Sequence, residues 1–162
     1  MKINIHRCSS RNKFPFNIGS ILIKFFSGTD YSHYAISFIA MSGREMFFHS
    51  NFKGVHLETK SRFLSSYDIK QSSTVEPKIS YAGIYSFVDN YLGAKYGFMQ
   101  VFGLFLITIG ILKNNPFGSN KIICNELIVM MLDRFYDLNI DDFDGINFKH
   151  TEEIIGGIVC QK

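Results

Sequence analysis

Tyr31-Ser32-His33-Tyr34-Ala35-Ile36-Ser37-Phe38-Ile39-Ala40-Met41-Ser42-Gly43-Arg44-Glu45-Met46-Phe47-Phe48-His49-Ser50-Asn51 decides the fold. Two runs rich in strand formers, 33–40 and 45–51, flank a turn containing Gly43, which is the pattern of a β-hairpin. Loop length then sets which side chains share a face. A two-residue loop, Ser42-Gly43, pairs Met41 with Arg44 and puts His33 and His49 on opposite faces. A three-residue loop, Met41-Ser42-Gly43, pairs Ala40 with Arg44, sets His33 against Asn51 and leaves His49 a diagonal neighbour on the same face, with backbones about 7–8 Å apart. Gly43 at the third loop position favours the second arrangement, because that position takes the left-handed conformation.

Outward from the hairpin, residues 3–8 read as a short strand and 17–26 as a helix closed by Ser27-Gly28. Residues 53–58 read as a third strand, followed by a polar stretch containing Ser72-Ser73-Thr74 to which no element is assigned. From Ser80 the periodicity is helical: Tyr81, Ile84, Tyr85, Val88 and Tyr91 share one face, ending at Gly93. Residues 98–112 are apolar apart from Gln100, Thr108 and glycines, and fall short of the roughly 20 residues a bilayer span requires. They are expected to form a buried core helix, with contact at a membrane surface as the alternative. Asn114-Asn115-Pro116 breaks the chain before a helix over 124–135, apolar on most sides and therefore expected to be central. A last helix is expected to start at Thr151 as its cap. Strands first and helices second predict an α+β fold, a small antiparallel sheet packed against helices. No repeat or linker divides residues 1–162, so one domain is expected.

The bulk composition narrows function by exclusion. A hydrophobic content of 46% with 19% charged residues argues against disorder. A net charge of +3, with no alternation of basic and aromatic residues, does not indicate a nucleic-acid partner. The first eight residues lack the apolar stretch of a secretory signal, so a reducing, cytoplasmic setting with free thiols is expected for Cys8, Cys124 and Cys160.

Cys124 falls at a helix start, in Ile122-Ile123-Cys124-Asn125-Glu126-Leu127. Unpaired backbone N–H groups and the positive end of the helix dipole favour thiolate there. With a histidine alongside, Cys124 has what a cysteine nucleophile needs. His33 is the candidate base and His49 the residue that holds its ring in the useful tautomer; His56, on the next strand, is the rival for that third place. The backbone N–H of Cys124, with that of Asn125, would face a developing oxyanion. Glu126 reads as a helix-start carboxylate rather than an acid catalyst. His6 and His150 read as ordinary hydrogen-bonded histidines. Zinc ligation by His33, His49 and Cys124 uses suitable residue types but lacks the short ligand spacings of such sites. The reading requires no cofactor and no metal.

These residues resemble a known group, the circularly permuted papain-like proteins of the NlpC superfamily. The similarity lies in Ser32-His33 before an apolar strand, in Lys53-Gly54-Val55 with Phe63 behind it, in Gly93-Ala94-Lys95-Tyr96-Gly97-Phe98, and in Ile123-Cys124-Asn125-Glu126-Leu127. Tyr31-Ser32-His33-Tyr34-Ala35-Ile36 is also similar to the histidine segment of lecithin:retinol acyltransferase-like enzymes, whose second histidine would fall on His49. Asn125 stands where serine is common in the group. The resemblance implies a permuted papain-like fold with the nucleophile at a helix N-terminus and a Cys-His-His site.

The leading functional expectation is a thiol hydrolase that cleaves an amide through an acyl-thiol intermediate, on a peptide or peptidoglycan substrate. A second is an acyl hydrolase or acyltransferase on lipid esters or thioesters, with peripheral membrane contact through residues 98–112. A third is a catalytically silent binding module of the same fold.

Overall fold

The computed structural model describes residues 1–11, 18–117, 121–143 and 146–160. In chain order the elements are β1 (Ile3–Ser10), α1 (Ile18–Ser27), β2 (His33–Ile39), β3 (Glu45–Asn51), β4 (Gly54–Thr59), α2 (Lys60–Ser66), β5 (Tyr67–Val75), α3 (Tyr81–Tyr91), α4 (Phe98–Thr108), α5 (Cys124–Tyr136) and α6 (Phe148–Val159). The strands form one antiparallel sheet in the order β4-β3-β2-β1-β5. The fold is α+β.

Helices cover the sheet unequally. One face carries Ile3, Ile5, Tyr34, Ile36, Phe38, Phe48 and Val55 against α5, α3 and α6 in the main core. The other face carries a smaller cluster of Cys8, Ala35, Phe47 and Phe63, closed by α2 and the start of β5. The central strand β2 is buried on both sides from His33 to Phe38, so its sequence reads as continuous rather than alternating. On the main-core side, α6 is fastened by Glu152. Its carboxylate accepts a two-pronged bond from Arg7 (2.6 and 2.5 Å) and bonds from Tyr34 Oη (2.6 Å) and Tyr31 Oη (2.9 Å).

The hairpin has the three-residue loop. Ile36 pairs with Phe48 and Ile39 with Glu45, Ala40 N–H donates to Arg44 O (2.8 Å), and Gly43 sits at φ 77°. Three expectations need correction. First, the polar stretch after residue 58 contains α2 and β5, the latter an edge strand that, among the described residues, pairs only with β1. Its central residues Lys70, Gln71 and Ser72 are exposed, so it needs no apolar alternation. Second, α4 is not a buried core helix: Phe98, Met99 and Phe102 are exposed, as are Ile109 and Ile111 just beyond it. Third, α6 begins at Phe148 with Asn147 as its cap, accepting from His150 N–H (2.9 Å), while Thr151 is buried inside the helix. No helix among the described residues is long and apolar enough to cross a membrane.

Candidate active site

The site lies where β2 and β3 part. Even-numbered residues of β2 direct their N–H groups toward β3, as Ala40 does, but pairing between the strands starts only at Ile36 and Phe48. Tyr34 N–H therefore faces an opening, where it favours the charged form of the Cys124 thiol. On the β3 side, Ser50 Oγ donates to Ile122 O (2.5 Å). The start of α5 thus meets both strands where their pairing ends, Ile122 at Ser50 and Cys124 at the backbone of Tyr34.

A strap formed by residues 93–97 holds that junction in place. Val55 N–H donates to Ala94 O and Gly93 N–H to Val55 O (both 2.8 Å), while Ile122 N–H donates to Lys95 O (2.9 Å). Gly54 permits the approach. It sits at φ 105°, and a Cβ there would lie 2.6 Å from the Ala94 carbonyl oxygen. Glu126, in the first turn of α5, accepts from Ile123 N–H (3.0 Å) and from Gln100 Nε2 (3.3 Å). Gln100, the polar break in the apolar run, is thereby explained: it ties α4 to the start of α5.

His33 and His49 meet. Their rings lie edge to face with His33 Nε2 2.9 Å from His49 Nδ1, and both residues are buried. Tyr67 stacks on His33 at 4.5 Å between centroids, and Phe63 meets His49 edge-on at 5.0 Å. His56 lies directly opposite His49 in the β3–β4 register and does not bond to His33. Beyond His49 stands Glu58, with Oε2 3.6 Å from His49 Nε2 and Oε1 3.2 Å from His56 Nε2. No hydrogen bond joins the Cys124 thiol to His33 among the described residues. Asn125 is used structurally, its side-chain amide donating to Ile146 O.

Glu58 biases the proton polarity of the row. A carboxylate can only accept, so Glu58 favours the proton on His49 Nε2. That leaves a lone pair on His49 Nδ1, places a proton on His33 Nε2, and leaves His33 Nδ1 free to act as a base. Sequence reasoning missed Glu58 and Tyr67. Glu58 carried a signal, since His56 and Glu58 alternate on one face of a strand; Tyr67 carried none, because β5 was not recognised.

The electrostatics correct one expectation. Burial raises the Cys124 thiol to about 11, although the N–H groups of Tyr34, Asn125 and Cys124 itself pull it down. Burial lowers His33 to about 3, helped by the nearby His56, and pushes His49 down further, helped by His33 and His56. The helix N-terminus thus fails to outweigh the cost of taking a thiolate out of water. The resting pair is a neutral thiol and a neutral imidazole. All three cysteines are free thiols, Cys8 and Cys124 buried and Cys160 exposed.

No protein-family model matches the chain, and a comparison with curated proteins finds no match either.

Proposed function

We propose that the chain is a thiol hydrolase of permuted papain-like architecture, with Cys124 as nucleophile, His33 as general base and His49 as the residue orienting it. The observation that carries this reading is the 2.9 Å bond between His33 Nε2 and His49 Nδ1, taken with a helix-start thiol whose charged form is favoured by the backbone N–H of Tyr34, the residue after His33. Because thiol and imidazole are both neutral at rest, attack and deprotonation are concerted. His33 Nδ1 takes the thiol proton as sulfur bonds to the acyl carbon, and the imidazolium that forms returns that proton to the leaving amine. The N–H groups of Cys124 and Asn125 receive the developing oxyanion. Water then releases the acyl group by the same base. An amide in a peptide or peptidoglycan cross-bridge is the foremost substrate.

The exposed apolar side chains of Phe98, Met99 and Phe102 favour a second reading, in which the acyl donor is a lipid ester or thioester presented at a membrane surface. Turnover of a short peptide anilide in solution and of a phospholipid in mixed micelles separates the two. Hydrolysis of the anilide without micelles, abolished by Cys124→Ala, supports the first reading. Turnover of the lipid alone supports the second, and turnover of neither favours the silent binding module.

A further inference from the structure

We propose that His49, His56 and Glu58 form a binding site for a divalent transition-metal cation of the zinc class, and that filling it withdraws the base from Cys124. The regulatory half rests on the reading of Cys124 as nucleophile; the site itself does not.

Three ligand-bearing side chains converge where β3 and β4 pair. His49 and His56 are directly opposed, and Glu58 follows on the same face of β4. One ligand atom from each lies within 4.8 Å of the others, with Glu58 oxygens 3.2 Å from His56 Nε2 and 3.6 Å from His49 Nε2. A tetrahedral zinc ion with bonds near 2.0–2.1 Å spaces neighbouring donors about 3.3 Å apart, so little movement is needed. His49 Nε2 is fully buried, faces Glu58 and has no hydrogen-bond partner. His56 Nδ1 donates to Gly54 O (2.9 Å), so its Nε2 is the ring nitrogen turned toward Glu58. His56 Nε2 and Glu58 Oε1 lie 3.2 Å apart, close to the spacing of two neighbouring donors on a tetrahedral ion. A backbone carbonyl holding the far nitrogen of a ligating histidine is the usual outer partner of such a ligand. The competing cation, Arg62, lies 3.5 Å from Glu58 Oε1 on a side chain that is 74% exposed and free to swing into solvent.

Metal on His49 Nε2 reverses the proton polarity of the row. Each ring keeps one proton, moved from Nε2 to Nδ1: His49 Nδ1–H then donates to His33 Nε2, and His33 Nδ1 carries a proton and cannot accept one from the thiol. Binding is tested with Co²⁺ on full-length Cys124→Ser protein, where a sulfur ligand at the candidate nucleophile is impossible. The expected result is a saturable visible spectrum of a four-coordinate ion at one equivalent, without a sulfur charge-transfer band and lost in His56→Ala and in the isosteric Glu58→Gln. No binding, or equal binding in the variants, overturns the site. Regulation is tested by acylation of the otherwise wild-type chain with and without Zn²⁺, each variant compared with itself. The expected loss is about a hundredfold, the scale of losing a general base, and it is absent in His56→Ala. Co²⁺ binding with unchanged acylation overturns the regulatory half, and binding with no acylation at all, metal present or absent, overturns the nucleophile reading while leaving the site standing.

Discussion

Replacing Gly54 by alanine tests how the candidate nucleophile is held. The new Cβ would lie 2.6 Å from Ala94 O, against roughly 3.4 Å for ordinary contact, so the strap must retreat by about 0.8 Å. Retreat strains the bond from Val55 N–H to Ala94 O and that from Gly93 N–H to Val55 O, each worth about 1 kcal/mol. A side chain at φ 105° adds about 1–2 kcal/mol of backbone strain. Reduced freedom of the unfolded chain returns about 0.4–1 kcal/mol. The net loss is about 2–3 kcal/mol, a fall of about 1–1.5 M in the urea midpoint for a slope near 2 kcal/mol/M. Gly93→Ala is the control. It shares a positive φ (82°) but meets nothing within 4 Å, so it carries only the strain, about 1 kcal/mol. Equal midpoints for the two variants would refute the close approach. The strap also bonds to Ile122, so Gly54→Ala slows any reaction of Cys124 with acyl donors beyond what its stability loss explains.

Other outcomes follow from the buried groups. His6, His33 and His49 are buried with their affinity for protons lowered by burial, His6 to about 4 and His33 to about 3. The unfolded chain therefore binds more protons below about pH 6.5, and stability falls as pH drops from 7 to 5, by about 1–2 kcal/mol per histidine and roughly 4–5 kcal/mol together; denaturant melts that coincide at pH 7 and 5 would contradict this. Burial alone would raise Glu152, but the bonds from Arg7, Tyr34 and Tyr31 leave it lowered, so its stabilisation is present above the ordinary carboxylate range and disappears as pH falls through the lowered value. Glu152→Gln leaves Arg7 buried beside a neutral amide and costs about 2 kcal/mol after allowance for its partial exposure, or about 4–8 °C in melting temperature; an unchanged melt would remove the clamp's energetic role. Cysteine alkylation at pH 7 labels exposed Cys160 before Cys124, whose rate climbs only in the alkaline range; an apparent Cys124 pKa below 8 would replace the concerted mechanism with a preformed ion pair.

The hairpin was legible in the sequence because register is a local property. Gly43 selected the loop, and the loop put His33 and His49 on one face. The helix start at Cys124 was legible for the same reason, since Glu126 and the apolar run after it are short-range signals. What escaped depends on contacts distant in sequence. Gly54 looks like any turn glycine until the strap arrives against it, and β5 needs only β1 to become a strand. The resting state of Cys124 also escaped. Helix position argues for thiolate, but the depth of burial that reverses it is set by β2, β3 and the strap closing around the sulfur.

The central claim is that Cys124 is a nucleophile served by His33. Its most direct test is a time course of intact mass after mixing the protein with p-nitrophenyl acetate at neutral pH, followed by peptide mapping. The account predicts one acetyl group on Cys124, formed about a hundredfold more slowly in His33→Ala. Acetylation confined to Cys160 and surface amines, or acetylation of Cys124 at an unchanged rate in His33→Ala, would contradict it.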